Sequence, residues 1–155
     1  KQDFTIRRPR IAVLNLNPEG QTGEAESNII APAIEAVCAE KIYAMGPYTA
    51  DTIFGNGDAY KFDAVLAMYY DQGVAPLKAL AYDSGAIFTA GTDNIITAPI
   101  NGVEYGIAGQ DIAPCDSFRN ALYLAIDTYR NRKNNKELAS NPMLTHINNE
   151  AERNA

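Results

Sequence analysis

Three aspartates, one lysine and a set of glycine-bearing loops are the residues of this 155-residue chain best suited to chemistry. Asp51, Asp63 and Asp71 could each lend an oxygen to a divalent cation, since hard cations are held by several converging carboxylate and carbonyl oxygens. Asp51 stands where a helix begins and Asp63 where a strand is entered, and a carboxylate has structural uses at both places. Asp71 follows an apolar strand directly, which makes it the strongest of the three. Lys78 lies about two turns into the next predicted helix and could reach an anion. The single histidine, His146, falls in a polar stretch where a solvated surface role outweighs ligation. With one histidine, no Ser–His or Cys–His arrangement is available. The loops Asn15–Gly23, Tyr69–Gly73 and Asn101–Gly109 are polar and carry glycine. None of them matches G-x-G-x-x-G or the P-loop pattern, so no phosphate cradle follows from motif.

The elements that must position these groups alternate between strand and helix. Ile11-Ala12-Val13-Leu14 is a short apolar run with the length and β-branching of a buried strand. Asn28 to Lys41 carries Ile29, Ile30, Ala33, Ile34 and Val37 at helical spacing, with Pro32 near the first turn. Ile42–Met45 runs into the turn signal Gly46-Pro47, and Thr49–Phe54 reads as a short helix capped by Thr49. Asp63–Met68 is a third strand, followed by a helix over Val74–Tyr82 with Pro76 in its first turn. Ala86–Ala90 and Ile95–Ala98 are further strand candidates, the last at an edge. Ser117–Arg130 is the clearest helix, with Asp116 or Ser117 able to cap it. Its Phe118, Ala121, Leu122, Ala125, Ile126 and Tyr129 form one apolar stripe of the kind a surface helix turns to a core. This order predicts an α/β fold, a three-layer arrangement of a mostly parallel sheet with helices on both faces. Residues 1–133 are expected to form one domain and 134–155 a polar tail, frayed or helical. Ligands in such sheets gather beyond the carboxyl ends of the strands, where the three loops lie.

Composition narrows the partners. A formal charge of −6 and a pI near 4.7 argue against nucleic acid or an anionic membrane as the main partner. The basic clusters Arg7-Arg8-Pro9-Arg10 and Arg130-Arg132-Lys133 read as solvated flanks. Cys38 and Cys115, in no metal-like spacing, suggest a reducing compartment and ordinary core packing. No apolar stretch approaches a membrane span, and Lys1-Gln2-Asp3 is not the start of a signal peptide, so the expected location is cytoplasmic.

Several segments resemble one family closely. Pro9-Arg10-Ile11-Ala12-Val13 with Leu16-Asn17-Pro18, Gly46-Pro47 with Ala50-Asp51-Thr52 and Phe54, and Asp63-Ala64-Val65-Leu66-Ala67-Met68-Tyr69-Tyr70-Asp71-Gln72-Gly73 followed by Leu77-Lys78 are similar to stretches of the 4-hydroxythreonine-4-phosphate dehydrogenases. Thr89, Gly91, Asn101-Gly102 and Ala108-Gly109 continue the match, which covers about residues 5–132 and resembles that family's C-terminal half. The resemblance implies a half like that of isocitrate and isopropylmalate dehydrogenases. It also implies NAD-dependent alcohol oxidation followed by decarboxylation in vitamin B6 synthesis, a divalent metal in a cleft between two domains, and a homodimer. The metal there polarises the alcohol oxygen and stabilises the enolate left by decarboxylation.

The departures from the family pattern fall on that chemistry. A metal-binding His is Glu19 here and a second is Tyr70. A substrate-contacting Asn is Ile87 and a substrate Arg is Ile96. In the cofactor loop a His is Asn101 and an Asp is Gly106. By resemblance, Asp51, Asp71 and Glu19 are the candidate metal ligands, Asn101, Gly102, Ala108 and Gly109 the candidate cofactor residues, and Lys78 the remnant of catalysis. The resulting expectation is a catalytically silent or fragmentary derivative of the dehydrogenase. The alternatives are the active-site half of a working enzyme that needs a missing N-terminal half, and a nucleotide- or phosphate-binding module near Lys78 and Gly102.

Overall fold

A computed structural model describes residues 2–17, 24–140 and 142. At its centre is β1 (Arg10–Leu14), flanked in parallel by β2 (Tyr43–Tyr48) and β3 (Ala64–Leu66) in the order β2-β1-β3. Successive strand side chains point to opposite faces, and β1 uses both. Ala12 and Leu14 turn to one side, against Ile53 of helix α2 (Ala50–Gly55) with Phe54, Phe62 and Val65 packed around them. Val13 turns to the other side with Ile11, against Ala44, Ile30 and then Ile34 and Val37 of α1 (Ala31–Ala39). Helices therefore cover both faces of a parallel sheet, as the strand–helix alternation predicts. Leu14 is fully buried, and truncating such a side chain to Ala costs about 2–5 kcal/mol.

Local chemistry explains where the elements begin and bend. A π-helical turn over Glu26–Ile30 leads into α1, so the helix starts two residues before the predicted Asn28. β2 continues through Gly46-Pro47, which the turn signal placed outside it; the Gly46–Pro47 bond is cis, and the β1–β2 register shifts there. Gly46 has φ +144°, and a Cβ at that position would run into the Val13 carbonyl oxygen, so only glycine lets the strands approach. The entry to β3 is fixed by Asp63, whose carboxylate accepts from the Arg10 amide at 2.8 Å while the Asp63 amide donates to the Arg10 carbonyl at 2.9 Å.

Helix α3 (Tyr70–Ala81) begins four residues before the predicted Val74. Tyr69–Gly73 is thus its first turn rather than a loop, and Pro76 lies inside the helix. Gly73, the last residue of the expected loop, serves close packing: a Cβ there would stand 3.2 Å from the Ala67 methyl. The remaining two strands do not extend the parallel sheet. β4 (Ala86–Thr89) and β5 (Ile96–Pro99) form a separate antiparallel ribbon, because the short connection between them has no room for the crossover that a parallel pair requires.

Helix α4 (Asp116–Ser140) packs on that ribbon and is rotated from its expected phase. Ser117, Ala121 and Thr128 are its buried residues, and Leu124, Asn131 and Asn135 are half-buried along the same face. Phe118, Leu122, Ile126 and Tyr129 are exposed instead. Polar anchoring sets this phase. The Ser117 hydroxyl donates to the Gly85 carbonyl and accepts from the Ile100 amide, Asn131 and Asn135 donate to the carbonyls of Asp3 and Gln2, and Arg132 forks onto the Asp3 carboxylate at 2.7 and 3.0 Å. Phe4 stacks edge-on against Phe88 at 5.2 Å, so the amino-terminal residues are bound to the same unit. The helix runs on past residue 133 without a break.

Both cysteines are exposed, contrary to the expected core packing. The Cys38 thiol nevertheless donates to the Ala44 carbonyl of β2 at 3.2 Å, and Cys115 stands beside the Arg119 guanidinium at 3.1 Å. Among the described residues no helix is long and apolar enough to cross a membrane.

Candidate functional site

Two buried polar side chains hold the chain beyond the carboxyl ends of β1 and β3. Gln72, in the first turn of α3, donates from Nε2 to the Asn15 carbonyl and accepts the Met68 amide on Oε1, both at 2.8 Å. Glu26, only 1% exposed, accepts the amides of Leu16 and Asn17 on Oε1 at 2.9 and 2.7 Å. Those amide hydrogen bonds, that of Asn17 foremost, hold its carboxyl below the usual carboxylate range against the opposing effect of burial. Its Oε2 is buried with no partner among the described residues. Neither Glu26 nor Gln72 stood out as functional in the sequence. The available signal was an acid in the first turn of a helical run, where the helix dipole favours negative charge.

The candidate metal ligands are only partly brought together. Asp71 lines a shallow cleft of about 290 Å³ with Ala50, Phe54, Tyr69, Gln72, Ala75 and Pro76. Asp51 neighbours that cleft through Ala50, but its carboxylate is engaged with the Thr49 hydroxyl and the Thr52 amide, which lower its pKa. Thr49 takes the predicted cap position, though its hydroxyl meets that of Thr52 rather than a backbone amide. Asp63 is committed to Arg10. Glu19 and His146 lie outside the described residues. Among the described residues no three Asp, Glu, His or Cys side chains gather closely enough to hold a metal. Tyr70, Ile87 and Ile96 stand exposed, and Lys78 is exposed on α3 and does not line the cleft beside Asp71.

The candidate cofactor residues do converge. Asn101, Gly102, Ala108 and Gly109 line one cleft of about 680 Å³, together with Pro99, Glu104, Ile107, Asp111, Ala113, Pro114 and Phe118. The wall is a run of tight turns: the Ile107 amide donates to Glu104, that of Gln110 to Ile107, and the Gln110 side chain to Gly106. Gly109 at φ +77° makes the bend that a side chain would strain. The start of α4 forms the opposite side. Asn101 Oδ1 is buried and has no hydrogen-bond partner among the described residues, an unmet acceptor of the kind a ligand N–H would satisfy. Glu104 and Asp111 add carboxylates that can accept from hydroxyl groups. Such a cleft offers acceptors and apolar walls, which suits a neutral, hydroxyl-rich or amine-bearing group better than a phosphate.

The parallel sheet with helices on both faces places the chain among the open α/β folds, whose ligand sites lie beyond the carboxyl ends of the strands. The family model described as pyridoxal phosphate biosynthetic protein PdxA matches residues 1–125, and the chain belongs to that family. Its curated relatives include the 4-hydroxythreonine-4-phosphate dehydrogenase of Bacteroides thetaiotaomicron, 48% identical over 147 residues that are 92% of this chain and 40% of that protein. The enzyme of the same name from Prosthecochloris aestuarii is 43% identical over 85% of this chain and 40% of its own length. A solved structure titled a putative 4-hydroxythreonine-4-phosphate dehydrogenase from Salmonella typhimurium aligns with a TM-score of 0.65 and 37% identity, covering 80% of this chain and 39% of that one. The chain thus spans about 40% of the length of the relatives it matches.

Proposed function

We propose that this chain is the nucleotide-binding portion of an NAD-dependent 4-hydroxythreonine-4-phosphate dehydrogenase and is catalytically silent by itself. The observation that carries the reading is the convergence of Asn101, Gly102, Ala108 and Gly109 on one cleft with a buried, unmet acceptor at Asn101 Oδ1. The residues present fit the adenosine part of NAD. Asn101 would accept from the base amino group, Glu104 or Asp111 would accept ribose hydroxyls, and Pro99, Pro114 and Phe118 would exclude water from the base. NAD supplies the hydride acceptor when bound.

The described donors do not fit a divalent metal. Asp51 is occupied by its helix start, and Asp71 stands without two further ligands among the described residues. That shortfall, with the apolar Ile87 and Ile96 where the resemblance implies substrate ligands, supports silence in isolation. Chemistry would then need ligands and a second wall from further polypeptide.

Calorimetry with NAD and with adenosine tests the nucleotide reading: heat is expected from both, weakened at least tenfold by Asn101→Ala. No heat from either would sink it. Silence is tested by following NADH formation from a phosphorylated hydroxy-amino acid with added magnesium or zinc, where a rate above the protein-free control would end that part of the proposal.

A further inference from the structure

Helix α4 shows its apolar stripe to solvent. Leu122, Ile126 and Tyr129 are 50, 37 and 62% exposed, while the opposite, largely polar face holds the ribbon through Ser117 and the amino-terminal residues through Asn131, Arg132 and Asn135. The stripe recurs at the four- and three-residue spacings by which one helix face meets another surface. Beneath α4, β4 and β5 form a sheet of only two strands with no further strand on either edge among the described residues, and such ribbons are marginal alone. Ile87 and Ile96 share a face of that ribbon, since Ile87 pairs with Ala98 and Thr89 with Ile96, and both are about half exposed. Contiguous apolar exposure on a helix and ribbon is of the kind that marks an interaction surface.

The relatives carry polypeptide that this chain lacks. More than half of the Bacteroides thetaiotaomicron protein lies outside the stretch this chain matches. The charged neighbours of the stripe are already paired within the helix, Asp116 with Arg119 and Asp127 with Arg130, so the surface offers apolar contact without an unpaired charge to be met. We propose that Leu122, Ile126 and Tyr129 of α4 form the docking surface for the additional polypeptide that family members carry beyond this matched stretch. The inference rests on the reading of this chain as part of a larger dehydrogenase. It adds that this helix face joins the parts. Phe118, at the head of the stripe, also lines the nucleotide cleft, so the docked polypeptide would abut that cleft.

The test is co-expression of this chain with the unmatched remainder of the Bacteroides thetaiotaomicron relative, followed by analytical ultracentrifugation and calorimetry. A one-to-one complex is expected. Leu122→Asp and Ile126→Asp should each weaken it at least tenfold, while Lys136→Ala, off the stripe, leaves it unchanged. Circular dichroism and NAD affinity of the variants, both expected to match the parent, separate loss of docking from loss of fold. Parent-like affinity in both Asp variants overturns the proposal. So does a remainder that stays insoluble or unbound beside the parent chain, or self-pairing of the chain through the stripe when the remainder is absent. A complex that forms but reduces no NAD leaves the docking surface standing and counts against the proposed activity alone.

Discussion

Replacing Gln72 by Ala is expected to destabilise the chain by about 2–4 kcal/mol. The side chain makes two buried hydrogen bonds of 2.8 Å, to the Asn15 carbonyl and the Met68 amide, and each is worth about 0.5–1.5 kcal/mol net. Truncation also strands their backbone partners. Asn15 is 2% exposed, so its carbonyl loses its donor without access to water, a cost of about 1–3 kcal/mol. Met68 is half-buried and recovers part of its loss from solvent. Urea unfolding should therefore show a lower midpoint at an unchanged slope. Gln72→Glu sharpens the reasoning. Its carboxylate can still accept from the Met68 amide, but it faces the Asn15 carbonyl with no donor. Protonation restores a donor, so the folded-state pKa of the new carboxyl is raised above its unfolded value. The variant is then closest to the parent at low pH, and the gap opens as pH rises through the folded pKa. A loss under about 0.5 kcal/mol for Gln72→Ala, or a pH-independent Gln72→Glu, would falsify the claim that this residue stitches the strand ends.

Other perturbations follow from the same structure. Gly46→Ala should lower stability by about 1–3 kcal/mol, since it combines a disallowed φ with a clash against the Val13 carbonyl; thermal melting checks it. Thr128→Val should raise stability by about 1 kcal/mol, because Thr128 is 1% exposed and its hydroxyl has no partner among the described residues, and an unchanged or lower midpoint contradicts that. Asp3, Glu26, Asp51 and Asp63 all have folded-state pKa values below their ordinary ones. The stability they contribute is present above the unfolded carboxylate range and is lost as pH falls through the folded values, so an acid titration should show unfolding setting in below about pH 4. Asp3→Asn should remove the share that comes from Arg132 and flatten the curve.

The sheet was legible in the sequence because its central strand is a short apolar run and its connections alternate with helical spacing. The antiparallel ribbon was harder to foresee. Ala86–Thr89 and Ile96–Pro99 carry the same β-branched signal as a buried parallel strand, and only the brevity of the link between them separates the two cases. Gly73 misled for a different reason. A glycine within a polar stretch reads as a turn, yet here it admits the Ala67 methyl, and that contact appears only once α3 is placed over β3. Glu26 and Gln72 show the same limit, since apart from the nearby Met68 amide their partners are backbone groups 9, 10 and 57 residues away, which carry no sequence signature.

The phase of α4 shows why periodicity alone could not complete the site. Apolar spacing identifies a face that prefers burial, and it does not say whether the burying surface is in the same polypeptide. In this chain the inward face is chosen by polar anchors, Ser117 across the ribbon and Asn131, Arg132 and Asn135 on the amino-terminal residues, while the apolar face is left outward. A helix that satisfies its hydrogen bonds inward and leaves Leu122 and Ile126 outward is arranged for a further apolar neighbour, since isolated burial would favour the opposite rotation. The same reasoning applies to the metal candidates. Asp51 and Asp71 sit near one another's elements without completing a ligand set among the described residues, and spacing along the sequence does not say which carboxylates converge. The cleft around Asn101 and Gly109 needs only one loop and the start of one helix, both local in sequence, and this chain assembles it from its own residues.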